Sequence, residues 1–154
     1  MKTKKLVSLF LAVAMIFAVL TVVVSADLRN SNITGSVNNA AYGNCTFYGT
    51  FLFVDSTRKA MATTYATNNL GTTTYFRVQA QCVVHYSDGT YDHDSQLYKG
   101  NVLSGGTASQ FAMVNASFSK TITSFSTEYH VGDSNLNSIW EAYYGPSYVL
   151  GVNA

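Results

Sequence analysis

Hydrophobic positions in this chain follow two successive patterns, first an unbroken block and then strict alternation. Leu6 to Val24 form the block, behind a basic start of Lys2, Lys4 and Lys5, and Val24-Ser25-Ala26 supplies small residues after it. That order predicts a signal peptide over residues 1–26, cut after Ala26. An uncut membrane anchor is the rival reading, since the block approaches the length that spans a bilayer. The lysines stay on the cytoplasmic side in either case, so Asp27–Ala154 is expected outside the cell. The long apolar core is in the style of a Gram-positive bacterial signal.

Residues 27–43 are polar and rich in Asn, Ser and Gly, and are expected to be a flexible N-terminal segment or a loosely held first strand. Period-two alternation then begins. Cys45, Phe47, Gly49, Phe51 and Phe53 share one face of Cys45–Val54, with Thr46, Tyr48 and Thr50 opposite. Ala60–Thr67 predicts another strand, ended by Asn68-Asn69-Leu70-Gly71. From Tyr75 to Tyr98 the pattern is a hairpin. Phe76, Val78, Ala80, Cys82, Val84 and Tyr86 lie on one face; Arg77, Gln79, Gln81, Val83, His85 and Ser87 lie on the other. Asp88-Gly89 reads as a two-residue turn. Such a turn pairs Tyr86 with Tyr91, His85 with Asp92, Val84 with His93 and Cys82 with Ser95. Further strands are expected at Ala108–Phe118, Thr121–Val131 and Ile139–Tyr144, with loops at 101–107 and 133–137 and a turn at Gly145-Pro146.

No segment sustains a helical period. The expected fold is all-β, a single antiparallel β-sandwich over residues 44–154, immunoglobulin-like or jelly-roll-like. Cys45 and Cys82 both fall on inward faces, and an even cysteine count outside the cell predicts one disulfide. Its loop would span 37 residues (82 − 45), which the chain-entropy model values at roughly 3–4 kcal/mol. The short spacing, with no Trp between the cysteines, counts against a true immunoglobulin domain.

Cleavage would leave 128 residues (154 − 26), enough for one domain with its own core. The whole chain has 9 Lys+Arg and 8 Asp+Glu; three lysines leave with the signal, so 6 stand against 8, a net of −2. That field argues against nucleic acid, which needs clustered Lys and Arg, and against a cationic membrane-active helix once the signal is gone. The surface must be built from Ser, Thr, Asn, Gln and Tyr. Such a surface fits neutral, hydroxyl-rich partners, although Thr and Tyr are also good strand formers.

Candidate chemistry is sparse. A cross-strand His85/Asp92 pair could orient an imidazole as a general base, but no nucleophile or Gly-x-Ser-x-Gly elbow accompanies it. Asp88, Asp92 and Asp94 miss the spacing of a calcium loop, and the expected register puts His85 and His93 on opposite faces, against a zinc site with His130. No catalytic residue, cofactor or metal is therefore expected.

Aromatic and amide residues are the better binding candidates. Trp140 and Tyr144 share one strand face, Ile139 and Tyr143 the other, with Tyr148 nearby; flat rings of this kind stack on sugars, or else fill a core. Gln79, Gln81, His85, Asp92, Asp94, Gln96 and Tyr98 are expected on the outer face of the hairpin, where they could hydrogen-bond to sugar hydroxyls. The glycosylation sequons at Asn32, Asn44 and Asn115 are read as chance matches under a bacterial-type signal.

The export signal, small size and β-rich remainder are similar to the lactococcin-972-type bacteriocins, exported β-sandwich peptides, although this remainder is longer and no motif aligns residue by residue. The leading expectation is a secreted, non-enzymatic sandwich that binds an extracellular glycan or cell-surface partner. A secreted antagonist of the bacteriocin kind is the alternative that the resemblance implies, and a small hydrolase using His85 and Asp92 is the third. Thr-rich edge strands with few lysines also leave self-association open.

Overall fold

In the computed structural model, which describes residues 28–145, the alternating segments become antiparallel strands in two sheets. The elements run β1 (Leu28–Ile33), β2 (Ser36–Val37), a 3₁₀ turn (Ala40–Tyr42), β3 (Thr46–Val54), β4 (Lys59–Thr67), β5 (Thr74–Tyr86), β6 (Tyr91–Val102), β7 (Thr107–Asn115), β8 (Ile122–Gly132) and β9 (Ser138–Tyr144). One sheet has the order β1-β3-β4-β7, the other β2-β9-β8-β5-β6. The expected signal peptide, its cleavage point and Tyr148 lie outside the described residues.

Alternation decides which face is buried. Phe47, Phe51 and Phe53 of β3 turn inward and meet Phe76, Val78, Val84 and Trp140 from the second sheet. Rings interlock across the gap: Phe47 lies 6.2 Å from Trp140 and 6.0 Å from Phe76, and Phe53 lies 4.6 Å from Phe125. Between these large groups β4 contributes Ala60, Ala62 and Ala66, all with no exposed surface. Small residues beneath large ones keep the two layers close-packed. Gly49 shows the same fit, because a Cβ there would come within 2.5 Å of the Tyr129 ring. Thr64 Oγ1, deep on β4, donates to the Gln79 carbonyl at 2.6 Å, so its burial is compensated.

Three sequence expectations are decided by this arrangement. Of the two readings of residues 27–43, a flexible segment or a first strand, the strand reading prevails, and the segment supplies strands to both sheets. β1 pairs with β3 from Leu28↔Val54 to Ile33↔Gly49, and β2 pairs with β9 at Ser36↔Glu141 and Val37↔Trp140.

The hairpin turn is the second, and it is corrected. Gly89 N–H donates to the Tyr86 carbonyl at 3.1 Å, Tyr86 N–H donates to the Thr90 carbonyl at 3.0 Å, and Gly89 has φ +80°. This is a three-residue loop closed by a glycine in the left-handed region, a G1 bulge, in place of the expected two-residue turn. Asp88 holds it, with Oδ1 accepting from Thr90 N–H at 2.9 Å and from Thr90 Oγ1 at 2.6 Å. The register moves by one residue, so His85 faces Tyr91, Val84 faces Asp92, Val83 faces His93 and Cys82 faces Asp94. A shift of one residue moves every β6 side chain to the other face.

The disulfide is the third, and it is corrected too. Cys45 and Cys82 are both buried free thiols. Cys45 precedes Phe47, which packs against Phe76, whereas Phe53 at the far end of β3 packs against Phe125, the partner of Val84. Cys45 thus lies at or beyond the Phe76 end of β5. Cys82 is six residues further along that strand, about 20 Å at the rise of an extended chain, and a disulfide needs Cα atoms within about 7 Å. Burial pushes the Cys82 thiol up to about 12, with the Asp94 carboxylate adding to the shift.

Candidate binding face

The corrected register divides the expected binding residues. Gln79, Gln81 and His85 stay on the outer face of the five-stranded sheet. Asp92, Asp94, Gln96 and Tyr98 register with Val84, Cys82, Ala80 and Val78, and so belong to the opposite, inward-facing side at the sandwich edge. There they hold structure together. Asp92 accepts from the Tyr86 hydroxyl, Asp94 Oδ2 accepts from Met113 N–H at 2.9 Å, Gln96 donates to Asp94 Oδ1 at 2.9 Å, and Tyr98 packs against the core. His85 and Asp92 therefore lie on opposite faces of the sheet, which removes the proposed general-base pair.

Of the two readings of Trp140, sugar platform or core, the structure takes the core. The residue is 1% exposed, with Phe47 stacked on it, and is unavailable to a ligand. Tyr144 shares its face and lies 5.3 Å from Phe51 as part of the core's rim. The β-bulge in β9 explains why Ile139 is buried as well: Val131 pairs with Trp140 but Gly132 pairs with Ser138, so alternation skips a residue.

On the outer face of the five-stranded sheet, pairing assembles rows of side chains from β6, β5, β8 and β9. One row reads Leu97, Gln79, His130, Glu141; the next reads Ser95, Gln81, Glu128, Tyr143; then come His93, Val83, Ser126 and Tyr91, His85, Ser124. Arg77 and Lys99 flank the first row. Neighbours along a row sit about 4.8 Å apart, one strand spacing. All three histidines of the chain lie here, yet among the described residues no group of three His, Cys, Asp or Glu is placed to hold a metal.

Several of these groups are already paired. Gln79 donates to Ser95 Oγ at 3.2 Å, His85 Nε2 and Ser126 Oγ share a hydrogen bond at 2.8 Å, and His130 Nε2 lies 3.6 Å from Glu141 Oε1. Tyr143 donates its hydroxyl to Glu141 Oε2 at 3.2 Å, while its ring remains 61% exposed. Tyr91 and His93 present a second pair of rings, 5.8 Å between centroids. Burial lowers the His130 pKa, with Arg77 helping and Glu141 opposing.

Two groups in the second row lack partners. Gln81 is 5% exposed although it lies on the outer face, where Val83 and Ser126 beside it are buried too, and its Nε2 has no hydrogen-bond acceptor among the described residues. Glu128, directly opposite, is half-buried, and burial followed by repulsion from Glu141 raises its pKa. No ion pair or hydrogen-bond donor among the described residues satisfies its carboxylate. The arrangement places the Glu128 carboxylate beside an exposed ring, while the Gln81 Nε2 has no exposed surface.

The other outer face has a different character. Tyr48 stacks on Tyr65 at 4.5 Å, and Phe111 and Met113 stand exposed beside them on the four-stranded sheet. It offers apolar surface with little directional polarity.

Glu128 and Glu141 are absent from the sequence-level candidates. Alternation along Thr121–Val131 could have placed Ser124, Ser126, Glu128 and His130 on one face, but no local signal sets β8 beside β5.

No protein-family model matches this chain, and no curated protein does. Among solved structures it is similar to the "X-ray structure of Northeast Structural Genomics Consortium target SoR45", at 7% identity over 77% of this chain and 83% of that one, with a TM-score of 0.31. That likeness is too slight to carry a statement about fold or function.

Proposed function

We propose that this protein is a secreted, non-enzymatic β-sandwich, immunoglobulin-like or jelly-roll-like in type, that binds an extracellular glycan or cell-surface partner through the outer face of its five-stranded sheet. The observation that carries this reading is Tyr143: an exposed aromatic ring on the outer face, in one row with the half-buried Glu128. The ring supplies a stacking surface, and the Gln79–Ser95 pair adds polar groups at the margin. Sugars need this combination of a flat apolar ring and nearby hydrogen-bonding groups.

The test is depletion of the purified protein by insoluble polysaccharides and by intact Gram-positive cells, with Tyr143→Ala in parallel. Tyr143 is exposed, so its truncation should leave the melting temperature nearly unchanged while weakening retention at least several-fold. Equal retention of wild type and variant, or none on any surface, would overturn the assignment.

A further inference from the structure

We propose that the cleft between the β3–β4 turn and the start of β8 is a binding site for an anionic group, a carboxylate or phosphate, carried on a ring or hydrocarbon body. The cleft has a volume of about 530 Å³, and Phe53, Arg58, Phe118, Lys120, Ile122 and Phe125 are among its lining. That size suits a small ligand. Part of the lining is apolar and fixed: Phe53 is buried, and its ring lies 4.6 Å from that of Phe125. Phe118 adds a ring that is 74% exposed, with Arg58 Cζ 5.8 Å from its centroid.

Arg58 supplies the charge. Its Nη2 donates to the Lys120 carbonyl at 2.7 Å and its own carbonyl accepts from Ala116 N–H at 2.8 Å, so the residue is held against the β7–β8 loop. Nη1 makes no hydrogen bond among the described residues and, unlike Nε, is not sealed from solvent. An anionic oxygen in the cleft can therefore reach it. No carboxylate among the described residues neutralises this guanidinium. Lys120, the other cation of the lining, is engaged by Asp88 at 3.2 Å and by Thr90 Oγ1 at 2.6 Å. Asp55, the carboxylate of the lining, is exposed and forms no ion pair among the described residues. A guanidinium held in place with its charge unpaired is suited to carboxylate and phosphate oxygens. Arg58 also has φ +50°, where glycine is the easier residue, so the turn alone does not call for an arginine.

The site is separate from the sheet face, and its test does not depend on the glycan reading. Benzoate, phenyl phosphate and the uncharged benzyl alcohol are titrated into the purified, isotope-labelled protein, and backbone amide shifts are followed by NMR. The two anions should move the amides of Arg58 and of residues 118–125 saturably, and the tighter of them names the preferred anionic group. Benzyl alcohol should bind about ten-fold more weakly or worse, because it lacks the charge-assisted bond. Arg58→Gly, which suits the same backbone conformation, should weaken benzoate by about the same factor. Phe118→Ser, at an exposed ring, should weaken it several-fold, and Asp55→Asn should strengthen it by removing a repelling charge. Tyr143→Ala should leave it unchanged.

Benzyl alcohol binding as tightly as benzoate would reduce the cleft to an apolar groove and overturn the proposal. Wild-type affinity in Arg58→Gly, or no saturable shift with any probe, would overturn it too. Should Arg58→Gly fail to fold, Phe118→Ser and Asp55→Asn decide the matter: benzoate affinity unchanged in both would mean that the anion does not sit in this cleft. Loss of benzoate binding in Tyr143→Ala instead would move the anion to the sheet face.

Discussion

Single residues divide into those whose environment the alternation foretells and those whose environment depends on a distant strand. Phe47, Phe51, Phe76 and Val84 are inward on both counts, because a period of two allows one buried face and they share it with the other large apolar residues of their strands. Trp140 had two possible fates. Its strand carries aromatics on both faces, so only the position of β9 beside β8, over Phe47, decides that the indole is core and the Tyr143 ring is not. The cysteines show the limit more sharply: their inward orientation was legible, but their separation along the sandwich was not. The two aromatics give the residue-scale prediction. Trp140→Ala should cost about 3–5 kcal/mol, the usual range for emptying a packed aromatic site, whereas Tyr143→Ala should cost well under 1 kcal/mol, as surface changes do. Urea denaturation of both variants checks this, and comparable losses would mean that the assignment of faces on β9 is wrong.

Elements were legible where pattern and turn chemistry are both local. β3, β4, β5, β8 and β9 fall within a residue or so of their expected bounds, since polar turn clusters such as Asn68-Asn69-Leu70-Gly71 and Asp88-Gly89 bound them. The β5–β6 turn was located correctly but given one residue too few, and that single residue reassigned Asp92, Gln96 and Tyr98 to the other face. The deciding interactions belong to Asp88, whose carboxylate is held down at about 2 by its bonds to the Thr90 hydroxyl and amide, with Lys120 Nζ 3.2 Å away. Lys120 lies beyond β7, too far along the chain to enter a two-strand argument. Gly89 has φ +80°, with open space where a Cβ would stand. Gly89→Ala should therefore destabilise the protein by about 1–2 kcal/mol through backbone conformation alone. Gly71→Ala is the comparison, for it too has open space but no positive φ, and should change stability little. If the two variants melt together, the left-handed bulge is not what fixes the register.

At the scale of the whole molecule, the candidate face joins two strand pairs that are distant in sequence, β5–β6 and β8–β9, and this is why Glu128 and Glu141 escaped the sequence reading while Gln79, Gln81 and His85 did not. Hairpin neighbours can be inferred from a turn; the β5–β8 pairing cannot. The assembled face also sets how stability responds to pH, since it buries groups that would ionise freely in the unfolded chain. Burial raises Glu128 above its ordinary 4.5. The folded protein then favours the protonated form, so this group's contribution is fully present below pH 4.5 and is lost as pH rises through the folded value. His130 acts in the opposite sense. Its pKa is lowered from 6.5 by burial, the neutral ring is favoured, and its contribution is present above pH 6.5 and lost as pH falls through the folded value. Glu128→Gln should thus be more stable than wild type at pH 7, and the advantage should vanish below pH 4.5. His130→Gln should flatten the loss of stability on acidification below pH 6.5. Urea melts of the three proteins at pH 7.5, 5.5 and 4 separate these effects. A Glu128→Gln variant no more stable than wild type at pH 7.5 would mean that the carboxylate is well solvated, and that burial in the folded sheet does not disfavour its charge.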